Sequence, residues 1–153
     1  MLSLSPPAYF RLTRASALYD ILIITPFATP WTFALLYPQL SNLNVSLGGA
    51  PLPASAPVQV LFACLLGSLV LLWASLRLLR TSVVLGRFDA CGRAVFALWM
   101  AWALAQGGLP LLWCYFVPEL LWAVAQAWPV AVARSARRPD RRRPHLTLVS
   151  GQR

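Results

Sequence analysis

Lysine is absent from this chain, acidic residues number four and histidine occurs once. Each shortage excludes something. Charged residues make up 11% of the 153, against ~25% in a soluble domain, which implies lipid rather than water as the solvent. The one histidine, His145, rules out bis-histidine haem ligation within a single chain and leaves a zinc site without its usual ligands. The three cysteines, Cys64, Cys91 and Cys114, have no C-x-x-C spacing and lie in or beside apolar segments. They read as small buried side chains rather than a redox or metal site. There is no nucleophile–base constellation, metal-ligand set or phosphate-binding glycine loop. Neither an enzyme nor a cofactor is expected.

What the chain does have is apolar length. Hydrophobic residues are 59% of it, and every one of its thirteen basic residues is an arginine. Four apolar runs, 15–37, 58–79, 88–106 and 111–133, are each of membrane-crossing size for a ~30 Å hydrocarbon core. The first is too long for the h-region of a signal peptide, and the A-x-A-like site at 54–56 lies far downstream. Residues 1–14 read as a lead-in, irregular around Pro6-Pro7, and 38–57 as a charge-free external loop. Asn44-Val45-Ser46 matches a glycosylation sequon, relevant only in a secretory pathway. The expected fold is therefore all-α: one domain, a four-helix transmembrane bundle.

The arginines set its orientation. Arg11 and Arg14 precede the first run, Arg77, Arg80, Arg87 and Arg93 surround the second connection, and the rest follow the fourth run. The first and third connections carry none, so both termini belong in the cytoplasm. The last stretch, 134–153, cannot build a core and reads as a disordered tail. Its arginines from Arg134 to Arg143 suit anionic lipid headgroups. They lack the interleaved aromatics of a nucleic-acid binder, so nucleic acid is not an expected partner. The net charge of +9 thus serves topology.

Small residues recur every four positions as Ala97, Ala101 and Ala105 on the third run, and as Ala123, Ala127 and Ala131 on the fourth. Such stripes let helices approach closely in lipid. Ala63 and Gly67 offer a similar patch on the second. Of seven tryptophans, Trp113 and Trp128 fall at interfacial depth, while Trp31, Trp73, Trp99, Trp102 and Trp122 are expected to fill space between helices.

Polar groups within the runs need partners, because a charge at bilayer depth costs ~2.5–3.5 kcal/mol. Asp20 falls level with Arg77, its expected ion-pair partner, with Arg93 next. Asp89 and Arg93 are four apart on one helix face. Glu119 follows Pro118 near the middle of the fourth run, sharing a face with Tyr115 and Gln126 and lying within reach of a snorkelling Arg93. Glu119, Gln126, Tyr115 and Arg93 form the candidate intramembrane polar site. Pro26 and Pro30 break the first run, with Thr29 and its neighbouring hydroxyls available to the freed carbonyls.

In the second half, Asp89-x-x-Gly92-Arg93-x-x-Phe96, then Gly108-x-Pro110, then Glu119-Leu120, resembles a pattern in small bacterial membrane proteins of the DoxX-like group. The resemblance implies a multi-pass, four-helix protein of the bacterial inner membrane. For some members it implies association with redox or quinol-linked systems. It supplies no catalytic residue.

Two functions follow as expectations. One is a non-enzymatic accessory protein or subunit of a membrane complex, docking a membrane-protein partner or its own copies. The other is a small oligomeric transporter or channel using Glu119 as a proton, cation or substrate site.

Overall fold

The computed structural model describes residues 3–131. The expected tail, 134–153, with its proposed headgroup-binding arginines, lies outside them. Among the described residues there are five α-helices and no named strand: α1 (Pro6–Ile24), α2 (Pro30–Ser46), α3 (Pro57–Leu79), α4 (Val83–Ala105) and α5 (Leu112–Ala127), with a 3-10 turn at Thr25–Phe27.

Helix α1 starts inside the expected lead-in. Pro6 and Pro7 occupy its first turn, where the missing N–H groups would have no helical acceptor in any case. The first apolar run is not one straight helix either. Pro26 and Pro30 each remove a donor, and Thr29 then caps a new helix, accepting from the Thr32 N–H at 3.2 Å. The result is an elbow: α1 with its 3-10 turn meets α2 at 96°. Helix α2 continues through Pro38 to Ser46, so the expected loop 38–57 shrinks to the segment after it. One proline two turns into a helix costs a single backbone bond, and the remaining ladder carries past it. Buried Asn44 ties the far loops together, its Nδ2 donating to Ala50 O at 2.8 Å and its Oδ1 accepting from Leu111 N at 3.1 Å. A glycan has no access to it.

Helices α3 and α4 are each 23 residues and apolar enough to cross a membrane; the bent pair would make a third crossing element if it is one span. Helix α5 has 16 residues. It stops at Ala127 rather than 133 because Trp128 precedes Pro129 and takes an extended conformation (ψ 143°), as steric contact with the proline ring requires. The chain after it is pinned back: Leu4 N donates to Pro129 O and Ala131 N to Leu4 O, both at 2.8 Å.

The interior is the reverse of a soluble core. Fully buried side chains include Arg77, Tyr9, Gln126, Asn44, Thr13 and Ser16, while Leu22, Trp31, Leu35, Leu72 and Leu79 are each more than two-thirds exposed. In water such a surface would be costly; facing lipid tails it is the natural one. Trp31, Trp99 and Trp102 join this outer surface instead of filling space between helices, and Cys91 and Cys114 are exposed rather than buried. The alanine stripes are used in part: Ala97 and Ala123 are buried, whereas Ala105 and Ala127 are exposed.

Helices pack chiefly as two pairs, α1 with α3 and α4 with α5. The second pair folds back through Gly107, whose φ of +79° a glycine adopts without penalty. The consecutive helices α3 and α4 are not among the packed pairs. They diverge after their short turn, and a space opens between them.

A buried charge ring and the cleft above it

Three helices each offer a pair of side chains one turn apart, hence on one face: Ser16 and Asp20 from α1, Trp73 and Arg77 from α3, Asp89 and Arg93 from α4. Arg77 donates to Asp20 through Nη2 and to Asp89 Oδ2 through Nη1 at 2.5 Å. Arg93 donates through Nη2 to Asp20 Oδ1 at 2.5 Å and through Nε to Asp89 Oδ2 at 3.0 Å. The four groups close a ring of alternating sign, Arg77–Asp20–Arg93–Asp89, in which every charge touches two of the opposite sign. Ser16 Oγ sits inside it, accepting from Arg93 Nη2 at 2.9 Å and Arg77 Nη1 at 3.2 Å. Trp73 Nε1 closes the outside, donating to Asp89 Oδ1 at 2.8 Å. All four ring residues are buried, Arg77 completely.

Burial of so many charges is tolerable only because they neutralise one another and share hydrogen bonds. The ring is neutral by count, two guanidiniums against two carboxylates. Glu119 is a fifth member, attached by one ion pair, Arg93 Nη1 to Oε2 at 2.8 Å. Its side chain keeps 20% of its surface exposed, against 9% or less for the ring carboxylates. With every group ionised, the assembly carries one surplus negative charge, and Glu119 is where it reaches the surface.

That surface is a cleft of about 470 Å³. Ala63, Leu66 and Val70 of α3 face Phe96, Trp99 and Met100 of α4 across it, and the end of α1 backs it with Ile23 and Ile24, the 3-10 turn with Phe27. Asp20 and Glu119, with Tyr19 and Tyr115, supply its polar edge. A second space of about 340 Å³ adjoins it on the Trp73 and Phe88 side and shares Asp20 and Glu119 as walls.

Of the residues singled out from sequence, Asp20, Arg77, Asp89, Arg93, Glu119 and Tyr115 converge here. Gln126 does not line the cleft. It is buried beside Tyr9, whose hydroxyl donates to the Gln126 backbone carbonyl at 2.8 Å, and its side-chain amide has no hydrogen-bond partner among the described residues. The helix break contributes Phe27 alone. Pro26 faces a separate shallow recess in the elbow, and Thr29 and Pro30 serve to start α2. Sequence reasoning passed over Ser16 and gave Trp73 only a space-filling place between helices, without its hydrogen bond to Asp89; their signal was the repeated four-residue spacing to a charged neighbour. Among the described residues no group of acids, cysteines and histidines is placed to hold a metal ion.

Comparison with family models, curated proteins and solved structures finds no match to this chain.

Proposed function

We propose that the chain is a multi-pass membrane protein that binds a small amphiphile, taken sideways from the bilayer into the cleft between α3 and α4, and that it performs no catalytic step. The observation behind this is the cleft itself: apolar walls that end on a carboxylate tied into a buried charge ring. Its volume falls within the ~300–1,000 Å³ of small-molecule sites, and a few convergent polar groups on an apolar lining are what such sites use to orient a ligand. A protein that only docks a partner has no need for a partly exposed carboxylate in such a place, where each charge costs ~2.5–3.5 kcal/mol to insert. The weight therefore moves from a docking subunit to a binding protein, which can itself serve a larger membrane complex or act as an oligomeric carrier.

The arrangement we favour has four crossing segments, with the bent α1–α2 unit as the first and α5 as the last, and both termini in the cytoplasm. Its support is the arginine distribution. Placement in a bacterial inner membrane rests on the DoxX-like pattern of residues alone.

Ala63→Trp, which puts an indole into the cleft wall, tests the binding reading. Native mass spectrometry of the detergent-purified protein should show an amphiphile bound to the wild type and lost from the variant. Identical adducts on both, or none on either, would dispose of the cleft as a binding site.

A further inference from the structure

We infer that the cleft's ligand is a lipophilic monocation: an organic cation with an apolar or aromatic body and no hydrogen-bonding requirement of its own. This rests on the reading of the cleft as a binding site and adds the sign of the ligand's charge. The argument is charge complementarity. The ring of Arg77, Asp20, Arg93 and Asp89 is balanced within itself, and Glu119 adds one negative charge that Arg93, already shared among three carboxylates, does not cancel. An uncompensated charge in a low-dielectric setting draws in a counter-charge. The cleft is where that counter-charge has access, because Glu119 is the most exposed of the three carboxylates and forms part of the wall.

The remaining walls fit the same ligand. Tyr19, Tyr115, Trp99, Phe27 and Phe96 surround the space, and aromatic faces attract cations through their quadrupoles. An anion is disfavoured. Neither guanidinium lines the cleft: Arg93 turns its donors to the carboxylates and Ser16, and the one unpartnered donor of the pair, Arg77 Nε, lies on a fully buried side chain out of reach of a negative head. A carboxylate that holds a cation can take up a proton in its place, so the two compete for Glu119. The groups that face Glu119 in this exchange are Arg93 and Asp89 from α4, Asp20 and Tyr19 from α1, and Tyr115 from its own helix.

The test uses the full chain in nanodiscs, with empty nanodiscs as the partition control. Three probes of related shape are titrated: tetraphenylphosphonium, its anionic counterpart tetraphenylborate, and neutral triphenylphosphine oxide. Saturable binding should be at least tenfold tighter for the cation than for the other two. Lowering the pH should weaken it in the wild type, and Glu119→Gln should lose both the preference and the pH dependence. Equal saturable binding of cation and neutral probe overturns the charge assignment while leaving the cleft a binding site. Preference for the anion overturns it as well. If none of the three saturates, both readings fall. The comparison of probes on the wild type decides the matter even where Glu119→Gln folds poorly.

Discussion

At the scale of single residues, the charge ring makes a sharp demand on its members. Removing one partner from a buried ion pair leaves the other uncompensated, at a cost of about 3–5 kcal/mol, while removing both is far cheaper. Arg77, fully buried and shared between Asp20 and Asp89, is the position where this shows best. Arg77→Gln should destabilise the detergent-solubilised protein by about that amount in thermal or SDS unfolding. Pairing it with Asp20→Asn should recover part of the loss, giving a coupling of at least ~1 kcal/mol in the double-mutant cycle. Strict additivity would mean the two side chains do not act on each other. This part of the site was legible from sequence, since matching depths along antiparallel segments predicts Asp20 opposite Arg77. Gln126 shows the limit of that reasoning. It shares a face with Glu119, but two turns carry it ~11 Å along the axis, past the ring to the level of Tyr9.

At the scale of elements, the break in the first apolar run was legible and its consequence was not. Two prolines four apart predict an interrupted helix, yet a gentle kink and a right-angled elbow use the same prolines. Two other residues decide between them. Thr29 with Pro30 is a helix start, an N-cap followed by proline at the first position. Gly67 on α3 lets the elbow lie directly against that helix: a Cβ there would come within 2.8 Å of the Phe27 carbonyl carbon and 3.0 Å of Ala28 N. Those are backbone atoms and cannot swing aside. Gly67→Ala should therefore cost about 1–3 kcal/mol through overpacking. The contrast is Gly92 on α4, where a Cβ meets nothing within 4 Å. Gly92→Ala should be neutral or stabilising by up to ~1 kcal/mol, the ordinary helix preference of alanine. Equal effects of the two substitutions in thermal unfolding would show that α3 does not bear on the elbow.

For the whole molecule, composition made an all-helical, lipid-facing chain legible, because a surplus of apolar residues and a shortage of charge leave few other solutions. It could not show that the helices pair two and two with a cleft between, since each helix is apolar on nearly every side and its sequence does not name its neighbour. One long-range contact now bears on topology as well. Leu4 and Val130 form a parallel bridge, so the two ends of the helical domain lie side by side, and an even number of crossings follows if both stay on one side of the membrane. Helix α5, at 16 residues or ~24 Å, and the elbow of α1 and α2 are the two elements on which the count depends. Single cysteines at Ser3, Ser55 and Ser150, in a background with Cys64, Cys91 and Cys114 replaced by alanine, separate the cases. Four crossings predict that a membrane-impermeant maleimide added to intact cells labels Ser55→Cys alone, and labels Ser3→Cys and Ser150→Cys only after permeabilisation. An elbow that dips into the membrane and returns would make Ser3→Cys and Ser55→Cys react alike. A fifth helix that does not cross would leave Ser150→Cys open to the outside while Ser3→Cys stays protected, and the bridge between Leu4 and Val130 could not then persist in the membrane.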